Sequence, residues 1–188
     1  MKSSDTDILV VAGHEGSGDA HWQRRLIAKL PAAKLVEQDD WLYGSLPKAT
    51  ARLVEAVVQA TKPVVFVAHS AGCVLVAHAV RELTAVAVIE KVRGGFLVSA
   101  PAAGPLGACN GIDPIFGNIP MLPLPFPCLL VASSNDPFAT PDEQAALAKA
   151  WGAELVEAGA QGHINTASGH GPWPEGMMRF AGFLSKLK

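Results

Sequence analysis

The chain has 188 residues, 49% of them hydrophobic and 17% charged, with 15 Lys and Arg against 17 Asp and Glu for a formal charge of -2. This length suggests one domain over residues 1–188 with a sizeable core, and the composition excludes a disordered or acidic-tailed protein. With no Lys/Arg run, nucleic acid is not expected as a partner.

The first seven residues, Met1 to Asp7, are polar and have no apolar stretch of the signal-peptide kind. Ile8–Ala12 then reads as a buried strand, and Ala20–Leu30 as a helix with Trp22, Leu26, Ile27 and Leu30 at helical spacing. Lys34–Glu37 is a short strand. Ser45 is placed to cap a helix running to about Ala60, with Leu46, Leu53, Val54, Val57 and Val58 inward. Pro63 breaks the chain before a strand at Val64–Ala68, and Ala71–Thr84 reads as the helix after it. His69, Ser70, Gly72 and His78 interrupt residues 64–80, which are short for a bilayer span, so no membrane association is expected. Val92–Ser99 and Pro127–Ser133 are two more strands, Glu143–Trp151 a helix, Glu154–Ala158 a last strand and Pro174–Leu187 a closing helix. Apolar strands alternating with helices predict an α/β fold, a mostly parallel six-stranded sheet covered on both faces.

Residues 100–127 depart from this rhythm, holding seven of the 14 prolines and four glycines. An irregular loop of that length is expected to be functional, and it leaves the strand end where open α/β sheets place ligands. Its Ile115, Phe116, Leu122 and Leu124 are candidates to border a substrate pocket, Phe116, Ile115 and Leu122 above all. Sealing the edge of the core would use the same residues.

The chemistry gathers around Ala68-His69-Ser70-Ala71-Gly72. A β-branched run ends at a serine flanked by small residues and a helix follows at once, the pattern of a sharp turn that holds a serine up as a nucleophile. Small residues suit positions 68 and 72, since the strained serine brings them together. A serine nucleophile needs a base, and the base an orienting carboxylate. His163 lies in a glycine loop after the last strand, and Asp136 in a polar turn after Leu129–Ser133, giving the order Ser, Asp, His. Asp136 as a turn cap and His163 as a solvent-facing loop residue are the plainer alternatives, and their joint placement argues against both. Two backbone donors for a tetrahedral oxyanion are expected at Ala71, and at His14 in the loop Gly13 to Gly18. That loop has neither P-loop nor dinucleotide-binding spacing.

The remaining histidines read as non-catalytic: His69 points across the turn, His78 lies on the following helix, and His21 packs or hydrogen-bonds beside Trp22. His170 lies past the loop expected to carry the base. No histidine pair has zinc-ligand spacing, so no metal and no cofactor are expected. Cys73, Cys109 and Cys128 read as reduced, mostly buried thiols, which suits a cytoplasmic protein.

Several motifs go further than the serine turn. Gly16-Ser17-Gly18-x-x-His21-Trp22-Gln23, His69-Ser70-x-Gly72, Pro125-Phe126-Pro127, Ser133-Ser134-Asn135-Asp136-Pro137-Phe138, Gly162-His163-Ile164-Asn165 and Gly169-x-Gly171-Pro172-Trp173-Pro174 run through nearly the whole chain. In these pieces the chain resembles the small serine-hydrolase family of α/β hydrolases that includes the retinoblastoma-binding-protein-nine-like and YdeN-like proteins. The Gly-His-Ile-Asn and Gly-Pro-Trp-Pro pieces are the specific ones. The resemblance implies a minimal, lidless α/β-hydrolase with Ser70, Asp136 and His163 as its triad. It agrees with the residue-level reading: a carboxylesterase-like serine hydrolase cleaving a small ester, thioester or amide through an acyl-enzyme. An acyltransferase using the same groups and a catalytically idle fold that binds protein are the alternatives.

Overall fold

The computed structural model describes residues 1–41 and 44–188. Six strands form one sheet: β1 (Asp7–Val11), β2 (Ala33–Leu35), β3 (Val64–His69), β4 (Val92–Val98), β5 (Cys128–Ala132) and β6 (Glu154–Glu157). Their order is β2-β1-β3-β4-β5-β6, and every pairing within the sheet is parallel. The α/β expectation therefore holds, with strand ends shifted by a residue or two.

Period-two alternation sorts the strand side chains onto two faces. Leu9, Val11, Phe66, Ala68, Leu97 and Leu130 face helices α2 (Leu46–Gln59), α3 (Ala71–Ala85) and α5 (Pro141–Trp151). Ile8, Val10, Val65, Val67, Phe96, Val98 and Val131 face α1 (Trp22–Lys29) and α6 (Pro174–Lys186). Both faces are buried, which is why the strands read as continuous apolar runs rather than alternating ones. Each large aliphatic side chain buried this way contributes about 1.5–3 kcal/mol. Among the described residues, no helix is long and apolar enough to cross a membrane.

The topology decides where a site can form. The crossover from β1 to β2 runs through α1 on one face, and that from β2 to β3 through α2 on the other. The carboxyl ends of β1 and β3 are thus neighbours whose following segments diverge, leaving a crevice between them.

Residues 100–127 are less irregular than their composition suggests. They contain α4 (Ala103–Gly107) and a 3-10 turn at Pro114–Gly117. Asp113 governs this region. Its Oδ1 accepts the Ile115 amide at 3.1 Å, and its Oδ2 accepts the Leu46 amide at 3.3 Å. The start of α2 is therefore satisfied by Asp113, and not by Ser45, whose side chain makes no capping bond. Sequence proximity suggests the serine; the tertiary fold brings a carboxylate from 67 residues away.

Candidate active site

Ser70 stands at the β3–α3 junction with φ 54 and ψ -130, a conformation rare outside glycine. The surrounding bonds hold it there: its amide donates to the Val98 carbonyl at 3.0 Å, and its own carbonyl accepts the Cys73 amide at 2.9 Å. Gly72 shows what the turn demands. A Cβ at that position would fall 2.4 Å from the Val11 carbonyl oxygen and 2.8 Å from that of Ala12. The small residue is thus required by the end of β1, which α3 crosses at backbone contact, rather than by position 68 as the turn geometry alone suggests. Gly13 is fixed similarly, since a Cβ there would lie 2.8 Å from the Ser70 Cβ and 3.3 Å from its Oγ.

The three expected side chains meet. Ser70 Oγ lies 2.8 Å from His163 Nε2, and His163 Nδ1 lies 2.9 and 3.0 Å from the two oxygens of Asp136. An ionised carboxylate only accepts, so Nδ1 carries the ring proton and Nε2 is free to accept the serine hydroxyl. The Asp136 side chain is fully covered, and its Oδ1 also takes the Phe138 amide at 2.9 Å.

Two loops must be held in register for this, and the motif residues do it. Asn135 Oδ1 accepts the Gly162 amide at 2.7 Å and the Ser133 hydroxyl at 3.0 Å, while Ser133 Oγ accepts the Gln161 amide at 3.0 Å. The loop carrying Asp136 is so stitched to the loop carrying His163. Gly162, at φ 60, packs against Ser168, where a Cβ would come within 2.6 Å of that residue's own. Trp22 Nε1 donates to the Ile164 carbonyl at 2.9 Å, and the Trp22 ring meets Trp173 edge-on at 5.1 Å. Gln23, fully buried, ties β1 to β3 by donating to the carbonyls of Val11 and Val67 at 3.2 and 3.1 Å.

Sequence reasoning missed two neighbours of His163. The His69 ring packs on it at 4.9 Å and donates Nε2–H to the His163 carbonyl at 2.9 Å, while Phe138 meets it edge-on at 4.5 Å. His69 stays neutral because burial, and then the nearby His163, push its pKa well below the usual value. His21 is likewise lowered to about 4, first by burial; its Nδ1 accepts the Gln23 amide at the start of α1, as its helix-start position suggests. His170 bridges Gln161 and Ser168 without touching the serine, and Cys73 is a core thiol whose pKa burial raises.

The amide of Ala71 opens α3, where a helix leaves its first donors unpaired. Ala71, Gly13 and His14 line one small cavity beside Ser70. Phe116 reaches it and is buried, whereas Ile115 and Leu122 do not line it and are 45% and 71% exposed. The 3-10 turn capped by Asp113 explains the split, since it sends Phe116 inward and its neighbour Ile115 outward. Leu124 packs against the core, its amide bonded to the Trp151 carbonyl at 3.0 Å. Among the described residues, no three His, Cys, Asp or Glu side chains group closely enough to hold a metal ion.

Comparison with known proteins agrees with this architecture. The family described as serine hydrolase matches residues 8–182. A YdeN-like hydrolase from Pectobacterium atrosepticum superposes with a TM-score of 0.81 at 29% identity, over 96% of this chain and 91% of that one. The ydeN product of B. subtilis gives a TM-score of 0.73 at 19% identity, over 97% and 100%. A hydrolase of the α/β superfamily from Xanthomonas campestris gives 0.67 at 21% identity over the whole of both chains. No curated protein matches the chain.

Proposed function

Because the chain belongs to the serine hydrolase family, we propose that it cleaves a small ester, thioester or amide through an acyl-enzyme on Ser70. The observation that carries this is the unbroken hydrogen-bond chain from Ser70 through His163 to Asp136. His163 Nε2 takes the hydroxyl proton as Oγ attacks the acyl carbon. Asp136 holds the ring in the required tautomer and stabilises the imidazolium that forms. The amides of Ala71 and His14 are the proposed donors to the oxyanion. His163 then hands its proton to the leaving group, and a water activated by the same nitrogen releases the acid.

Labelling with a fluorophosphonate, followed by peptide mass spectrometry, tests the assignment. Ser70 should carry the adduct, and Ser70→Ala should abolish it and reduce ester turnover by about 10⁴-fold or more. Asp136→Asn should cost about 10⁴-fold through a misoriented or wrong-tautomer imidazole. His163→Ala should abolish turnover while circular dichroism stays native. Labelling that survives Ser70→Ala unchanged would overturn the proposal.

A further inference from the structure

We infer that the cavity beside Ser70 is the acyl pocket, and that it admits only short chains, from acetyl to about butyryl, with Phe116 as its inner wall. This rests on the acyl-enzyme reading and deepens it.

The side of the site decides which part of the substrate the cavity receives. The leaving group takes its proton from His163 and must depart beside that ring. No member of the Ser70, His163 and Asp136 set lines the cavity; it meets Ser70 through Gly13, where a Cβ would lie 2.8 Å from the Ser70 Cβ, and through the next residue Ala71, both on the side of the proposed oxyanion donors. A carbonyl carbon on Ser70 Oγ with its oxygen toward Ala71 therefore directs its acyl chain into this space.

Size and lining set the chain length. The cavity measures about 40 Å³. That is room for a few methyl-sized groups rather than for a long chain. Ala49, Leu75, Ile112 and Phe116, all buried, supply its apolar wall, and Phe116 is braced behind by an edge contact with His78 at 6.3 Å. The exposed Asp40 and half-buried Gln38 line its outer part. Among the described residues, a longer alkyl chain would run out past Gln38, Asp40 and Trp41, and burying the carboxylate and the amide against it is unfavourable.

The test is kcat/KM on p-nitrophenyl acetate, butyrate, hexanoate and octanoate, for the parent enzyme, Phe116→Ala, the milder Phe116→Leu, and Ala49→Val. The parent should favour acetate and butyrate over hexanoate by at least about 10-fold, the scale on which a pocket rejects surplus methylenes. Phe116→Ala should raise the hexanoate-to-butyrate ratio by about 10-fold or more, and Phe116→Leu by less. Ala49→Val should lower butyrate more than acetate. Should Phe116→Ala fail to fold, the parent profile and the other two variants still decide. A parent that prefers hexanoate or octanoate, or folded variants with the parental profile, would overturn the pocket assignment. Fluorophosphonate labelling of Ser70 in the same samples separates the two readings. If Ser70 is labelled, the hydrolase reading stands whatever the chain-length profile; if it is not, both fall.

Discussion

Replacing Gly72 by alanine adds one methyl group at a point where nothing can yield. That methyl would lie 2.4 Å from one backbone carbonyl oxygen of β1, 2.8 Å from the next, and 3.0 Å from a carbonyl carbon. No side-chain rotamer relieves a clash with main chain, so α3 and the end of β1 must separate. Overpacking of this kind costs about 1–3 kcal/mol, and the rigid surroundings put this case near 3. For a chain of this length that is a fall in Tm of about 6–12 °C. The displaced strand end carries Gly13 and His14, so a shift approaching 1 Å there should also cost about 100-fold in kcat/KM. Gly182→Ala is the control. It lies on the exposed face of α6 with nothing within 4 Å of a new Cβ, and should raise stability by about 0.5–1 kcal/mol without touching activity. Thermal unfolding by circular dichroism and ester kinetics on both variants measure the effect. A Gly72→Ala protein with parental Tm and parental rate would refute the claim that backbone contact between α3 and β1 fixes Ser70.

Two further outcomes follow from the site's supports. Asn135→Ala removes the acceptor that joins the loops carrying Asp136 and His163, so on the proposed mechanism kcat should fall about 10- to 100-fold with KM little changed, while Asn135→Asp, which keeps an acceptor, should recover most of the loss. The buried histidines set an acid limit on stability. His21 has a folded pKa of about 4 against 6.5 unfolded, so the unfolded chain binds more protons between those values. Its contribution is whole above pH 6.5 and is lost as pH falls toward 4, amounting to about 2–3 kcal/mol at pH 4.5. His69 acts in the same direction. Urea unfolding at pH 7 and pH 4.5 should show His21→Asn, which keeps a helix-capping side chain, losing about 2 kcal/mol less than the parent over that interval. An identical pH loss in both proteins would contradict the assignment.

Strands, sheet and the three meeting side chains were legible because each leaves a local mark. A doubly covered strand must be apolar along its length, and Ala68 and Gly72 mark the serine turn, although it is the end of β1 that requires Gly72. The chain order of Ser70, Asp136 and His163 follows from which strand ends adjoin. What stayed hidden depends on distant partners. Ser45 looks like the natural cap of α2, yet Asp113 takes that role through a loop whose path no local pattern encodes. Phe116 and Ile115 are equally apolar neighbours, and only the phase of a 3-10 turn sends one inward and the other out. His69 looks like an idle neighbour of the serine. Its bond to the His163 carbonyl exists only because β3 and the loop after β6 end side by side.

The placement of His163 after β6 has a consequence for how activity is lost. β6 is four residues long, lies at the sheet edge and pairs only with β5. Short edge elements with exposed residues open at lower free energy than the centre of a sheet. Ser70 follows the central β3, but its hydrogen-bond partner His163 comes 93 positions later in the chain, in the loop after this peripheral strand. On the proposed mechanism, detachment of β6 alone would stop turnover while most of the hydrogen-bonded structure persists. Turnover thus reports on this edge of the sheet. In a denaturant titration it should vanish before the far-ultraviolet signal moves, and during synthesis it should emerge only when the last strand has docked.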